Sequence, residues 1–239
     1  MSKKIYVSPS NQNNNTYASG GTNEKEQCKK IAAACVAALK NNGFNVKCTY
    51  NDSMEERVKE SNAFGADVHV AIHTNATSAH KTTGGTQILL YDLNGERKKI
   101  GQAVFDRLAP LTPGKSAEKL IAKPDFYEVN SATGITVYCE CEFHDTKEGA
   151  EYIIKNAAAI GEAIALGICD YYGVKPAVNA KKDTAAEKKS GADNKTAAAS
   201  AYQKTLYTVQ CGAFSQKKNA EAYVKKLKAA GFDAFVVKK

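Results

Sequence analysis

Two glutamates and a histidine in this 239-residue chain stand where an α/β domain could bring them together. His73 ends the mostly apolar run 68–72, which is typical of a strand buried on both faces of a parallel sheet. Glu24 opens a predicted helix, and Glu140 interrupts the apolar run 135–143 of another predicted strand. Because ligands of open α/β sheets bind at the carboxyl ends of strands, His73 is a candidate site residue.

These side-chain types can together form a mononuclear zinc site. Imidazole nitrogens and carboxylate oxygens are common ligands of catalytic zinc, and a further glutamate can act as general base and acid. Burial of Glu140 in a central strand is costly unless a positive charge or hydrogen bonds compensate it, which favours a functional role. The structural alternative for His73 is an ordinary core or surface histidine. If the sheet is parallel, Glu24, His73 and Glu140 meet at one edge.

The elements that must position these residues alternate between strands and helices. This order predicts an α/β fold with a mainly parallel, twisted sheet flanked by helices. Asn23 and the capping box of Ser53 and Glu56 mark the starts of two helices. Residues 110–134 have a looser pattern, in which 125–129 are predicted as an edge strand. The other predicted strands are 4–7, 44–50, 66–76, 86–91 and 135–143.

Charge and pattern divide the chain into three parts. The predicted catalytic domain spans residues 1–173, and a flexible Lys/Ala-rich linker at 174–204 has no periodicity able to bury a face. Residues 205–239 are predicted as a small C-terminal βαβ half-domain. After residue 173 lie 14 of the 33 Lys and Arg residues but 5 of the 25 acidic residues. This tail carries a formal +9, and we expect it to meet an anionic partner.

Composition disfavours several classes of protein. Seven cysteines without a C-x-x-C pair fit neither a disulfide framework nor a thiolate zinc site. No apolar leader follows the first lysines, and no run approaches the ~18 apolar residues of a membrane span. We therefore expect cytoplasmic synthesis without a signal peptide, and no membrane insertion. The tail lysines are spread without a recognition motif, so we expect no nucleic acid partner.

Three motifs, in order and spacing, resemble those of the zinc-dependent N-acetylmuramoyl-L-alanine amidases of the amidase_3 type. The resemblance covers about residues 3–173 and implies a Zn²⁺ cofactor. It implies that Glu24 and His73 bind zinc and that Glu140 is catalytic. The implied substrate is the peptidoglycan amide between muramic acid and L-alanine, and Asn75 is a predicted substrate contact. The motifs are Asn-Glu-Lys-Glu at 23–26, Ala-Ile-His-Thr-Asn-Ala at 71–76 and Val-Tyr-Cys-Glu-Cys-Glu-Phe at 137–143.

The chain departs from this family at one zinc ligand. The first zinc histidine of the family follows the first strand in a Pro-Gly-His-Gly context, where this chain has Ser-Pro-Ser-Asn-Gln at 8–12. A catalytic zinc site normally has three protein ligands, so one must be replaced. His144, at the carboxyl end of the Glu140 strand, is the predicted replacement. The other candidates are His80, the amide oxygens of Asn11 and Gln12, which suit zinc poorly, and His69, which is expected in the core.

The tail resembles the opening half of a SPOR domain, which is a peptidoglycan-binding module. One βαβ repeat is present where the complete domain has two, so pairing of two half-units in a homodimer is one way to complete it. The stem peptide and glycan strand of peptidoglycan are thus the expected partners. The matching residues are 207–215, 219–221 and 227–232.

The sequence predicts a peptidoglycan hydrolase that cleaves its amide with the assistance of zinc. We expect this hydrolase to be made without its own secretion signal in a bacterial or phage-infected cell. It would act on the wall after its release from that cell. A sporulation autolysin that acts in mother-cell lysis and a prophage endolysin both fit this description. The alternative is a metal-free, catalytically inactive protein that binds the cell wall.

Overall fold

The computed structural model describes residues 2–77, 84–176 and 221–225. Six strands form one sheet in the spatial order β2-β1-β3-β6-β4-β5. All neighbours run parallel except β4 and β6, which are antiparallel, so the predicted mainly parallel sheet is confirmed. The strands are β1 Lys4–Pro9, β2 Asn45–Lys47, β3 Val68–Asn75, β4 Gln87–Leu90, β5 Lys119–Ala122 and β6 Ile135–Phe143.

Four α-helices lie between these strands and a fifth follows β6, and several of their ends follow local sequence signals. Asn23 caps the first helix by accepting a hydrogen bond from the backbone of Glu26, and Ser53 caps the second in the same way from Glu56. Gly65 ends the second helix in the left-handed conformation that favours glycine. The helices are α1 Glu24–Asn41, α2 Met54–Phe64, α3 Gly95–Leu108, α4 Tyr127–Ser131 and α5 Lys147–Tyr172.

The two faces of the sheet differ in character. Helices α1, α3 and α5 cover one face, where Val70, Ile72 and Cys139 join the main apolar core. At Gly161, α5 approaches α1 so closely that a Cβ atom would lie 2.2 Å from the Ile31 carbonyl oxygen. Within the described ranges, α5 alone has the length and apolar composition of a membrane span, and its buried residues pack in this core.

Helices α2 and α4 cover the opposite face, which is rich in polar side chains. This face receives alternate residues of β1, β3 and β6, since side chains along a strand point to opposite faces in turn. A small apolar cluster of Ala71, Leu89, Val129 and Tyr138 lies there among polar residues. The buried polar side chains on this face include those of Ser8, His69, His73 and Arg57. Every candidate catalytic side chain on β3 and β6 belongs to this face.

Two predicted strands differ from the observed ones. The edge strand predicted at 125–129 is wrong, because α4 forms from Tyr127 and the edge strand is instead β5. Phe126 and Val129, three residues apart, meet the same apolar cluster, which a helical turn satisfies and an alternating strand does not. The second strand is also shorter than predicted, since only Asn45–Lys47 pairs with β1.

The structure divides the chain into two compact units, residues 1–182 and 183–239. In the second unit, residues 221–225 are helical, within the segment where the sequence predicts a helix. The predicted strands of the half-domain and most of the predicted linker lie outside the described residues. The division at 173 and 204 therefore stays a prediction.

Candidate active site at the carboxyl end of the sheet

His73 and Glu24 lie together at the end of β3, as the sequence predicts. Glu24 occupies the first turn of α1, and its Oε1 atom lies 2.9 Å from His73 Nδ1. The Asn15 amide donates to the other oxygen at 2.6 Å. Burial opposes ionisation of Glu24, but the hydrogen bonds from His73 and Asn15 and the charge of His73 hold the pKa of this carboxyl below its usual value.

A second buried carboxylate, which sequence reasoning missed, lies on the other side of the His73 ring. Glu128 Oε2 is 3.5 Å from His73 Nε2, and both side chains are almost fully buried. Burial alone would lower the pKa of His73, but the carboxylates of Glu128 and Glu24 raise it to about 10. Burial likewise opposes ionisation of Glu128, whose pKa is nevertheless held low by His69 and His73. Without another cation, the histidine is an imidazolium between two carboxylates.

A network of buried polar side chains holds Glu128 in place. Its Oε1 atom accepts from Ser8 Oγ at 2.5 Å and lies 3.2 Å from His69 Nε2. The Arg57 guanidinium donates to Ser8 at 2.8 Å and to the Asn51 carbonyl at 2.8 Å. Another Arg57 nitrogen is 3.9 Å from Glu128, in an ion pair with 1% of each side chain exposed. His69 is thus a core residue, as expected, but it also contacts the site.

Glu140 lies beside His73, because β3 and β6 are neighbours and pair these two residues. Both side chains therefore point to the polar face of the sheet. Burial is the main cause that raises the pKa of Glu140, to about 7, with the Glu24 charge adding to it and His73 opposing it. A carboxyl with this pKa can both accept and release a proton near neutral pH.

The His144 imidazole is held by contacts with Thr74 and Tyr17. Its Nδ1 atom lies 2.9 Å from the Thr74 hydroxyl and 3.0 Å from the Thr74 carbonyl oxygen. Its ring stacks on Tyr17 with centroids 4.9 Å apart, and burial lowers its pKa. These contacts link β3, β6 and the loop before α1, and they give His144 a structural role. Its role as a zinc ligand stays a prediction.

The other candidates for the missing ligand are also located. Gln12 Nε2 lies 3.5 Å from His73 Nδ1, whereas the Asn11 amide donates to the Asp52 carbonyl. His80 lies outside the described residues. Asn75, the predicted substrate contact, donates from its amide to Gln87 Oε1 at 3.1 Å, so it lies beside β4 at the same sheet edge.

A cleft of about 520 Å³ opens over this site. Tyr138 stacks on the His73 ring with centroids 4.3 Å apart, and Phe126 packs edge-on against Tyr138 at 5.6 Å. These aromatic rings give the cleft an apolar wall beside its ionisable residues, an arrangement typical of ligand sites. The cleft is lined by Asn11, Gln12, Asp52, Ser53, Met54, Glu55, Arg57, His73, Asp125, Phe126, Tyr127, Glu128 and Tyr138.

The donor atoms at this site are of the kind that zinc binds. Buried atoms without a hydrogen-bond partner among the described residues include His73 Nε2, Glu128 Oε2 and Glu140 Oε2. Such atoms are costly unless a cation or a proton satisfies them. Across residues 2–77, 84–176 and 221–225, however, no three His, Cys, Asp or Glu side chains gather around one point that could hold a metal. Glu24 contacts the Nδ1 side of the imidazole and Glu128 the Nε2 side, so the two carboxylates do not share one side of the ring.

A buried histidine, flanking carboxylates and a glutamate of raised pKa at the carboxyl end of a parallel sheet define a hydrolase-type site. Comparison with known proteins agrees with this class. The sequence profile of the amidase_3 family, described as N-acetylmuramoyl-L-alanine amidase, matches residues 7–170, and that of the SPOR domain matches 185–239. The chain belongs to the amidase_3 family of N-acetylmuramoyl-L-alanine amidases.

Individual relatives support this assignment. The chain is 28% identical to the N-acetylmuramoyl-L-alanine amidase CwlM of Bacillus licheniformis, over 98% of this chain and 84% of that protein. It is 26% identical to the sporulation-specific N-acetylmuramoyl-L-alanine amidase of Bacillus subtilis, over 99% and 85% of the two chains. Among solved structures, the amidase AmiC2 of Nostoc punctiforme has the same fold, with a TM-score of 0.63, 19% identity and coverage of 72% and 97%.

The family assignment confirms the main functional predictions. The chain is a peptidoglycan amidase, and its reaction is hydrolysis of the amide between N-acetylmuramic acid and L-alanine. The SPOR match confirms the predicted type of tail, and it begins at residue 185, within the predicted linker. Enzymes of this family are generally zinc-dependent.

Proposed function

We propose that this amidase uses zinc held at His73 and that Glu140 transfers the protons of the hydrolysis. The observation that carries the proposal is the pairing of Glu140 with His73 on neighbouring strands, with His73 lining the open cleft. Its pKa of about 7 leaves it partly ionised at neutral pH. This is the state that a group needs in order to act first as a base and then as an acid.

The residues divide the chemistry among them. Zinc, when bound, supplies polarisation of the amide carbonyl and activation of the attacking water. Glu140 accepts a proton from that water and delivers it to the leaving amine of L-alanine. Tyr138 stacks on His73 and fixes the plane of its ring, so the free Nε2 atom keeps its direction.

The remaining predicted site residues keep defined roles in this proposal. Glu24, a zinc ligand by resemblance, touches the Nδ1 side of His73 and fixes the ring through that contact. Asn75 lies at the rim beside Gln87, where it would meet the substrate. His144, bonded to Thr74, is the least favourably placed of the proposed ligands.

The setting of the reaction is also a proposal. The match to a relative described as sporulation-specific extends over nearly the whole chain, which supports a role as a bacterial autolysin in sporulation. Lysis by a prophage endolysin is the other proposed setting. The SPOR match supports binding of the tail to the glycan strand. We propose that the enzyme reaches the wall after release from the cell in which it is made. Pairing of two tails in a homodimer remains a proposal from the sequence.

A metal-free wall-binding protein is the second candidate, and one observation favours it. The imidazolium of His73 between two carboxylates balances part of the buried charge without a metal. A single experiment distinguishes the amidase from the metal-free wall-binding protein. We would measure zinc per purified chain by elemental analysis, and new alanine amino termini after incubation with purified cell walls.

The amidase proposal predicts about one zinc per chain. The wild type should release new amino termini, whereas Glu140→Gln should release none but should still bind walls. Glu162→Gln, on the exposed face of α5 and outside the cleft, is the matched control and should retain hydrolysis. No zinc after reconstitution and no new amino termini would refute the enzyme proposal and leave the wall-binding protein.

A further inference from the structure

The row of paired residues that contains His73 and Glu140 continues to the edge of the sheet. Glu140 also lies opposite Gln87 on β4, and Gln87 pairs with Lys119 on β5. We infer that these four residues, the His73–Lys119 row, mark the path of the stem peptide and that Lys119 binds one of its carboxylates. The inference rests on the proposed function, because that function places the reacting amide at His73 and Glu140.

All four side chains of the His73–Lys119 row lie on the polar face of the sheet. Residues opposite each other on neighbouring strands point to the same face, and so do residues two apart along one strand. Leu89 follows Gln87 by two residues and packs with Tyr138 in the small apolar cluster of this face. Ile121 follows Lys119 by two residues and packs against the same cluster. Gln87 and Lys119 therefore share the face of the reaction centre.

Lys119 is an exposed side chain whose positive charge is available to a ligand. The lysines before and after β5 are paired: Lys115 with Glu118 at 2.8 Å, and Lys123 with Asp125 at 3.7 Å. The Lys119 ammonium, in contrast, has no ion pair within the described part of the chain. A carboxylate is the group that an ammonium binds most strongly through a charge-assisted hydrogen bond. The charge at this end of the row therefore suits an anionic ligand.

The length of the row suits a short peptide. Neighbouring strands lie about 4.8 Å apart, so the three steps from β3 to β5 span about 14 Å. An extended peptide advances about 3.3 Å per residue, so about four residues cover this length. A stem peptide that begins at the reaction centre therefore brings the carboxylates of its later residues to Lys119.

Uncharged amide groups line the row between its ends. The Asn75 amide donates to Gln87 Oε1 at 3.1 Å, and Gln87 Nε2 donates to the Ala117 carbonyl at 3.1 Å. These bonds hold both side chains at the edge of the sheet, next to the path of the peptide. Amide groups can both donate to and accept from a peptide backbone. The middle of the row thus suits the neutral part of the stem.

The cleft on the other side of His73 is acidic, which distinguishes the two directions. Four carboxylates line it against one cation, Arg57, although Lys25 and Lys123 pair with two of the four. An anionic stem peptide is therefore disfavoured there. The muramic acid sugar is uncharged, because its lactyl carboxyl is part of the amide, and it fits this side. The four carboxylates are those of Asp52, Glu55, Asp125 and Glu128.

The first test compares two forms of a soluble N-acetylmuramoyl tetrapeptide, one with free carboxylates and one with these converted to amides. We expect Lys119→Gln to raise KM for the free form about 3–10-fold, with kcat nearly unchanged and with no effect on the amidated form. Lys119→Glu should reverse the preference between the two forms. Lys98→Gln, exposed on α3 across the sheet, is the matched control and should behave as the wild type.

The second test measures binding and needs no hydrolysis. Calorimetry on Glu140→Gln should show tighter binding of the free form, and this preference should weaken as salt rises from about 50 to 500 mM. The double variant with Lys119→Gln should show no preference.

Two results would overturn the inference while the amidase proposal stands. One is a wild-type preference for the free form that persists in Lys119→Gln, and the other is an equal rise of KM for both forms, which would indicate a structural role of Lys119. Absence of hydrolysis by the wild type would instead overturn the proposed function, and the calorimetry would still decide whether Lys119 binds the carboxylate.

Discussion

Glu140, the proposed general base, shows how a single buried carboxyl weakens the fold that carries it. Its carboxyl has a pKa of about 7 in the folded protein, above the ordinary value of 4.5. Between these values the folded state binds more protons than the unfolded state, so stability falls as pH rises from about 4.5 to 7. Above this window the burial of the charge opposes folding in full. Removal of the charge should therefore stabilise the protein while it abolishes activity.

We predict that metal-free Glu140→Gln is more stable than the metal-free wild type at pH 8, by about 1–3 kcal/mol. At pH 4 the difference should vanish, because the glutamate is protonated in both states. Urea unfolding at the two pH values measures the change, with Glu162→Gln on the exposed face of α5 as the control. An equal gain at both pH values would mean that the effect is not due to the charge.

The same carboxyl predicts how hydrolysis depends on pH. A base with a pKa of about 7 is lost to protonation as the solution becomes more acidic. A cation bound beside His73 would favour the ionised carboxylate and lower this raised pKa, so the acid limb of kcat/KM should have an apparent pKa between about 5 and 7. Initial rates on a soluble muropeptide from pH 4 to 9 measure it. A profile without an acid limb would exclude Glu140 as the base.

Sequence reasoning found some site residues and missed another for identifiable reasons. Glu24, His73 and Glu140 stand at helix starts and in apolar strands, where a charged side chain is conspicuous. Glu128 lies in a segment of mixed character that was predicted as a strand, and its burial depends on contacts with residues such as Ser8 and Arg57, far away in the chain. A glutamate between aromatic and apolar neighbours, Tyr127 and Val129, was the available signal.

At the scale of elements, the short helix α4 determines where Glu128 lies. A helix of five residues has little stability of its own and depends on tertiary contacts. Asn62 in α2 supplies two of them, since its amide donates to the Ser131 carbonyl at 3.0 Å and its oxygen accepts from the Thr133 backbone at 2.8 Å. These bonds tie the end of α4 to a longer helix. The position of Glu128 beside His73 thus depends on an interaction outside the cleft.

We predict that Asn62→Ala destabilises the fold by about 1–2 kcal/mol, because it leaves the part-buried Ser131 carbonyl unpaired, while the exposed Thr133 N–H can turn to water. Affinity for the zinc proposed at His73 should fall several-fold, since Glu128 contacts the His73 ring and is less well fixed. Thermal unfolding and chelator competition measure the two effects. Asn94→Ala is the matched control, because the Asn94 side chain makes no capping hydrogen bond to α3. Unchanged zinc affinity in a destabilised Asn62→Ala would show that α4 is positioned without this link.

Elements were predictable from sequence where a local signal marked their ends. The start of α1 was marked by its cap at Asn23, and both ends of α2 were marked by Ser53 and Gly65. The apolar run marked the position of β3. The segment 110–134 was not predictable, because β5 is defined by pairing with β4 and α4 by contacts with α2 and β6. Such contacts between distant parts of the chain leave little trace in local periodicity.

At the scale of the whole molecule, charge separates the catalytic part of the chain from the tail. The first 173 residues carry a formal −1 and the tail +9, and the tail contains the SPOR match at 185–239. Bacterial walls carry anionic groups in their stem peptides and polymers, so two forces can hold the tail on them. Electrostatic attraction weakens with salt, whereas recognition of the glycan by a folded module weakens much less.

We predict that a chain ending at residue 176 keeps its fold and cleaves small soluble muropeptides at the wild-type rate, because every residue that lines the cleft lies between Asn11 and Tyr138, in the first compact unit. Its binding to purified walls should fall at least 10-fold, since the basic tail is lost. Co-sedimentation at 50 and 500 mM salt measures this loss. The full chain with Lys188→Glu and Lys189→Glu separates the two forces. Binding that falls in this variant at low salt but survives at high salt indicates glycan recognition beside charge, whereas unchanged wall binding by the shortened chain would contradict a role of the tail in wall attachment.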